Sequence, residues 1–351
     1  MGDENTNEEI GVSVELTPTG FTAKIKSRFA SGLDRFLGTT FNSKSLAVEA
    51  QNAEAKAISD AKIKLIKAVG DLGVERLKHD PGFADRAIDS FLPTIIRRQE
   101  NKEAVLELAL EDLRQNPPSE QQATAGDDKL DDAFLNRFER YAEDASEEVL
   151  RAKWAKVLAS EIRKPGTFST KVLRTVDELD APTAELFEAF CRNRLGGVVI
   201  RCLSGKLSFA DETRLVSSGL LVDPGIGGQQ RTFTEKVDEG GTALWLTSVE
   251  IAVVGIAKDT PIPKGELVPI KKLPDGVGVP VYVLTDVGTA ISSIIPDSQE
   301  QALAAYMTKL ETFLAPADVR EYRLNEHGEL VVRNIWRHDA TSGPLPSDGT
   351  V

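Results

Sequence analysis

Apolar residues recur at intervals of three and four through the first half of the chain, then give way to short β-rich runs after Gly196-Gly197, so the pattern predicts helices followed by a mixed region. Phe21, Ile25, Phe29, Leu33 and Phe36 are spaced along one face of a helix carrying Lys24, Lys26, Arg28 and Arg35. From Ser45 to Lys78 the positions Leu46, Ala50, Ala53, Ala57, Ala61, Leu65, Ala68 and Leu72 form a helical seam, weakened at Gly70 and Gly73. A turn at His79-Asp80-Pro81-Gly82 leads to Ala87, Ile88, Phe91 and Leu92, a break or kink at Pro93, and a helix from Ile95 to Leu113. Two long helices joined by a short turn predict a hairpin over residues 20–114, and the same seam would accept a second copy of the chain.

Residues 1–19 are acidic with no basic member and predict a disordered tail. Residues 115–130, with two prolines and no apolar period, predict a linker. Residues 131–195 predict a four-helix module. Asp131 caps a helix with Phe134, Leu135, Phe138 and Tyr141, and Ser146 caps one with Leu150, Trp154, Val157, Leu158 and Ile162. Pro165-Gly166 stops the second. Ser169 and Asp180 open two shorter helices, the last with Pro182 in its first turn. Residues 196–340 predict an α+β domain. Its strand-like runs are VVIRCL, RTFTEKV, ALWLTSVEIAVVGI and VPVYVLT, with helices at SFADETRLVSS, after Thr285 and over Glu300 to Leu314. REYRLNEHGELVVRNIW predicts a hairpin, and 341–351 a flexible tail. The expected fold class is mainly α with a C-terminal α+β part.

Composition removes several function classes. The 351 residues carry 42 basic and 55 acidic side chains, a net charge of -13, which argues against a surface that binds nucleic acid or anionic membrane throughout. Two cysteines, Cys191 and Cys202, and three scattered histidines offer neither a disulfide framework nor metal-site spacing. No apolar run reaches transmembrane length and the N-terminus has no signal-peptide core, so a cytoplasmic location is the expectation. Phosphate-loop, nucleophile-elbow and zinc-protease motifs are absent, and Gly225, Gly227 and Gly228 read as a turn, so no catalytic, cofactor-binding or metal residue is expected.

The stretch WAKVLASEIRKPGTFS, with Trp154, Ala155, Leu158, Ala159, Glu161, Pro165, Gly166, Phe168 and Ser169, resembles the W-A-x-x-L-A-x-E-I-x-x-P-G-x-F-S signature of an uncharacterised bacterial protein family, a domain of unknown function. The acidic helix before it and the RRQENKEAVLELA segment extend the resemblance over about residues 90–192. It implies no catalytic residue. YVLTDVGTAI, through Leu284, Thr285 and Gly288, resembles the strand-to-helix exit of a winged-helix wing.

Two features bear on chemistry. Glu161 shares a face with Trp154 and Leu158, where a carboxylate must be paired or carry a raised pKa. It is either an acid or base in a pocket, or, as favoured, a structural group accepting from the backbone that opens the Ser169 helix or pairing with Arg174. Between Arg151 and Arg174 lie Arg151, Lys153, Lys156, Arg163, Lys164, Lys171 and Arg174 against Glu161 alone, a candidate phosphate or nucleic-acid contact. Residues 131–148 hold seven acids, and their mutual pairing with the basic run is the expectation. The functional reading is a non-catalytic interaction or regulatory protein assembling through its long helices. The alternatives are a nucleic-acid-binding regulator using the basic run and a peripheral membrane protein held by residues 21–37.

Overall fold

The computed structural model describes residues 22–37, 81–124, 126–237, 241–325 and 329–337. The expected tails, the Ser45–Lys78 seam, Phe21 and all three histidines lie outside them, as do the side chains of Leu33, Phe36, Ala87, Ile88, Phe91 and Leu92. Among the described residues there are eleven helices and ten strands, and the chain divides into two compact units, Met1–Thr170 and Lys171–Val351. The first is helical and the second α+β.

In the first unit, α1 (Ala23–Leu37) and α2 (Pro81–Gln115) are followed by a short α3 (Glu120–Thr124), then α4 (Asp132–Asp144) and α5 (Glu148–Arg163). Pro81 begins α2, where a missing N–H costs nothing. Pro93 lies inside the helix, which is not broken there. Pro93 and Asp89, whose carbonyl loses its intrahelical donor, are both exposed, a setting in which solvent can satisfy that carbonyl. The core is formed by Val105, Ala109, Leu110 and Leu113 of α2, Phe134, Leu135 and Phe138 of α4, and Trp154, Val157, Leu158 and Ile162 of α5. Trp154 is the hub: Tyr141 stacks on it at 4.6 Å and Phe138 meets it edge-on at 5.9 Å. Asp131 caps α4 by accepting from Phe134 N at 2.9 Å. The expected Ser146 cap is displaced by one residue, since Glu147 occupies the N-cap position of α5 without a side-chain cap bond.

The four helices expected as one module over residues 131–195 are divided. α4 and α5 complete their apolar faces against α2, whereas α6 (Thr170–Glu178) and α7 (Ala181–Cys191) lead into the second unit. The expected linker is also more ordered than its composition implies. Lys24 Nζ donates to the carbonyls of Thr124 and Gly126 at 3.2 and 3.1 Å and pairs with Asp128 at 3.3 Å.

In the second unit, Asp180 caps α7 by accepting from Thr183 N at 2.7 Å, which holds its carboxyl below the ordinary range. The chain then forms β1 (Arg194–Leu195), β2 (Val198–Ile200), α8 (Arg201–Ser204), α9 (Phe209–Ser217), β3 (Gln229–Thr232) and β4 (Thr234–Val237). It continues through β5 (Ala243–Ser248), β6 (Val253–Ala257), β7 (Lys271–Leu273), β8 (Gly276–Val283), α10 (Asp286–Ser292), α11 (Gln299–Leu314), β9 (Val319–Leu324) and β10 (Leu330–Trp336). One antiparallel sheet has the order β1-β2-β8-β3, with β7 also on β8, and the other β10-β9-β6-β5-β4.

Two single runs of the sequence become two strands each. RTFTEKV splits at Phe233, where the chain leaves the first sheet for the second, because Phe233 turns its ring into the core. ALWLTSVEIAVVGI folds back as β5 and β6, turned through Val249–Ala252 with Glu250 at φ 66°. Both sheets and α11 share one core, with Ile200, Val279, Val281, Val254, Ile256, Val319, Leu303, Tyr306, Met307 and Leu310 within it.

The Gly219-Leu220-Leu221 turn after α9 is held against the end of β8. Leu221 bridges Leu284, Val222 N donates to Val283 O at 2.9 Å, and Thr285 N donates to Leu220 O at 3.1 Å. Thr285 caps α10 by accepting from Gly288 N. Gly288 presses on this turn so closely that a Cβ would stand 2.0 Å from Leu220 O. Gly288→Ala therefore forces rigid backbone apart, and urea unfolding is expected to show a loss of about 3 kcal/mol. A loss under about 0.5 kcal/mol, the range of ordinary surface changes, would show that the turn can yield.

Candidate functional site

α5 and the turn after it gather most of the residues singled out from sequence. Trp154 is buried, and Glu161 is 1% exposed. The carboxylate reaches back over the Pro165-Gly166 stop, accepting from Gly166 N at 2.6 Å through Oε1 and from Phe168 N at 2.8 Å through Oε2. Gly166 has φ +84°, a conformation that glycine adopts without strain. Burial pushes the Glu161 carboxyl up from its ordinary value, backbone donation from Gly166, Phe168 and Thr167 opposes the shift, and Asp131 reinforces it. Ser169 immediately precedes α6. The alternative partner Arg174 pairs instead with Glu178 at 2.8 Å.

Several members of the basic run have partners within the protein. Arg151 Nε donates to Ala145 O at 3.0 Å and its Nη2 to Asn101 Oδ1 at 2.7 Å. Arg163 is bound to the Asp112 carboxylate, the Asp112 carbonyl and the Asn116 carbonyl. Lys153 lies over the Trp154 ring at 5.3 Å. Lys156, Lys164 and Lys171 are exposed. Residues of the acidic run also pair with α2. Glu139 and Glu143 of α4 bind Lys102 of α2 at 3.2 and 3.4 Å, and Arg98 reaches Glu143 and Asp144 at 3.8 and 3.9 Å. Three acids of α4 thus face cations of α2.

Asn101 and Arg28 are among the buried polar residues that escaped the sequence reading. Asn101 is fully buried in α2, donating to Glu143 O at 2.8 Å while accepting from Arg151. A polar residue on the helical period of Val105 and Ala109 was its only signal. Arg28 is also fully buried. Its guanidinium donates to the carbonyls of Asp127 and Gln122, at 2.7 and 3.2 Å, and to those of Ile162 and Arg163, at 3.1 and 3.3 Å. Burial lowers its pKa while Asp128 and Asp127 oppose that shift. Ile25 and Phe29, the apolar stripe considered for a membrane surface, are buried in the same unit. No described helix is long and apolar enough to cross a membrane.

Among the described residues no group of three or more histidine, cysteine, aspartate or glutamate side chains is placed to hold a metal ion. Burial pushes the thiols up, to about 12 for Cys191 and about 11 for Cys202, which suppresses thiolate chemistry.

Residues 85–196 match a family model described as protein of unknown function, DUF2806. The stretch runs from within α2 through β1 and contains the signature segment. No curated protein and no solved structure matches the chain.

The Glu161 environment makes a pH prediction. A carboxyl whose folded pKa lies above its unfolded value binds more protons in the folded state. Its stabilisation is therefore present below the ordinary 4.5 and lost as pH rises through the raised value. The stability advantage of the parent over Glu161→Gln is expected to shrink as pH rises through that window, measured by urea unfolding at each pH. Below it the amide costs about 1–3 kcal/mol, because its NH2 faces one of the two N–H donors. An advantage that grows with pH would mean that the two N–H bonds outweigh burial.

Proposed function

We propose that this is a non-catalytic interaction or regulatory protein whose second unit contacts a protein partner through a winged-helix arrangement. The order α7, β2, α8, α9, β3, β8 with sheet neighbours β2-β8-β3 supports the arrangement: three helices, then a strand pair separated where a wing would stand. Residues 233–275 occupy the place of the wing and supply most of the second sheet, which accounts for the long gap between the turn after α9 and the YVLTDVGTAI strand exit.

The observation that carries the reading is the outer surface of α9. A helix that reads the major groove needs basic side chains. α9 has Phe209 at 86% exposure on its first turn, with Asp211 and Glu212 beside it and Arg214 as its one cation. Nearby in sequence, Ile226 is fully exposed at a loop tip. An exposed aromatic beside acids suits a protein surface better than a phosphate backbone. Self-association through the long helices is supported by Ile95 and Ile96 of α2, which are 61% and 49% exposed.

The competing reading is nucleic-acid binding through the exposed lysines of the basic run. Gel-shift titration against double- and single-stranded DNA and RNA at two salt concentrations separates the two. The expected outcome is no salt-dependent shift. Salt-sensitive binding that is abolished by charge reversal at Lys156, Lys164 and Lys171 would overturn the proposal.

A further inference from the structure

Arg201, in the second unit, has a buried guanidinium nitrogen without a hydrogen-bond partner. By contrast, Arg163 of the first unit has a carboxylate and two carbonyls, and Arg323 of the second has Glu300, Glu321 and the Ile251 carbonyl. Arg201, directly after β2, has none of these. Its Nε is buried and donates to nothing, and its guanidinium forms no hydrogen bond or ion pair with any described residue. The chain carries 55 carboxylates against 42 cations, so a partner was not lacking for want of acids.

The guanidinium is nonetheless held in place. It lies over the Tyr282 ring at 5.0 Å. That ring is itself fixed edge-on to Phe190 at 5.4 Å, and its hydroxyl accepts from Leu207 N at 3.1 Å. Gly228, at φ +66°, makes room for Arg201: a Cβ there would stand 2.4 Å from Nη1. Gly228 closes the loop Asp223-Pro224-Gly225-Ile226-Gly227-Gly228. The one carboxylate of this loop, Asp223, is turned away onto its own backbone, accepting from Gly225 N at 2.8 Å.

We propose that Arg201 and the adjacent glycine loop receive the phosphoryl group of a small free ligand. A desolvated guanidinium donor left unmade is costly, and its planar fork matches a tetrahedral oxyanion bidentately. Glycines at positions 227 and 228 carry no side chain that would bar an oxyanion from Arg201, while Gln230 Nε2 lies on their carbonyls at 3.4 and 3.5 Å. The Gly225–Gly228 segment, which from sequence reads as a simple turn, becomes the wall of an anion site because the fold brings Arg201 to it.

The test is thermal unfolding of the full chain in sodium phosphate, sodium acetate or sodium chloride at matched ionic strength, with 31P line broadening as a second readout. Phosphate is expected to raise the midpoint saturably and to broaden, with no such response to acetate or chloride. Arg201→Gln removes the response. Arg201→Lys weakens the affinity about tenfold, the loss of one charge-assisted hydrogen bond. Gly228→Ala weakens it with the charge intact, by displacing Nη1. If Arg201→Gln does not fold, the lysine and Gly228 variants carry the comparison. No saturable response in the parent chain, an equal response in Arg201→Gln, or an equal response to acetate overturns the assignment. So does Arg201-dependent retention of duplex DNA without any response to free phosphate.

Discussion

The closing of α5 is the constraint on which the helical unit depends. A helix end leaves carbonyls without donors, and the turn that follows leaves N–H groups without acceptors. Here two buried charges of opposite sign divide the task. Arg28, reaching in from α1, takes the Ile162 and Arg163 carbonyls, and Glu161 takes the Gly166 and Phe168 amides. A cation at a helix C-terminus also sits favourably in the field of the helix. The same guanidinium binds the Gln122 and Asp127 carbonyls, so one side chain ties α1, the segment after α2, and the end of α5 together. Removing either charge would leave several buried backbone groups without partners at once.

The polar layer between α2 and its neighbours follows the same logic. Asn101 and Arg151 link α2 to the turn before α5, and Lys102 collects two carboxylates of α4. These contacts use up cations that a count along the chain would assign to a ligand. The surplus of positive charge between Arg151 and Arg174 is therefore smaller at the surface than along the sequence: Arg151, Arg163 and Arg174 are committed to Asn101, Asp112 and Glu178. Lys156, Lys164 and Lys171 remain exposed, as does Phe209 on α9.

The helices were largely legible because their periods and caps are local. Asp131, Asp180 and Thr285 each accept from the N–H three residues on, a pattern written in adjacent letters. Glu161 was legible as an anomaly for the same reason: its spacing from Trp154 puts a carboxylate on an apolar face. Arg28 was not, because a cation on a short amphipathic helix reads as a solvated residue until the carbonyls of residues far along the chain surround it. Whether Pro93 breaks or only bends its helix was not legible, because a proline's effect depends on the surroundings of the carbonyl it leaves unpaired. The split of RTFTEKV at Phe233 and the grouping of helices by unit depend on contacts distant in sequence, which no local window contains.

The exchange of strands between sheets at Phe233 has a kinetic consequence. The β5–β6 and β9–β10 hairpins join residues close in sequence and can form early, whereas Ile200 must find Val281 across nearly the whole intervening domain. β8 is the central strand of the first sheet, pairing with β2, β3 and β7, so that sheet has no seam until the distant pairing is made. The loop-closure entropy of that search falls late, on the strand whose neighbours need it most. During synthesis, β1, β2 and β3 emerge well before β8 and wait with open edges, which makes the interval between them the point at which a chaperone would matter for this chain.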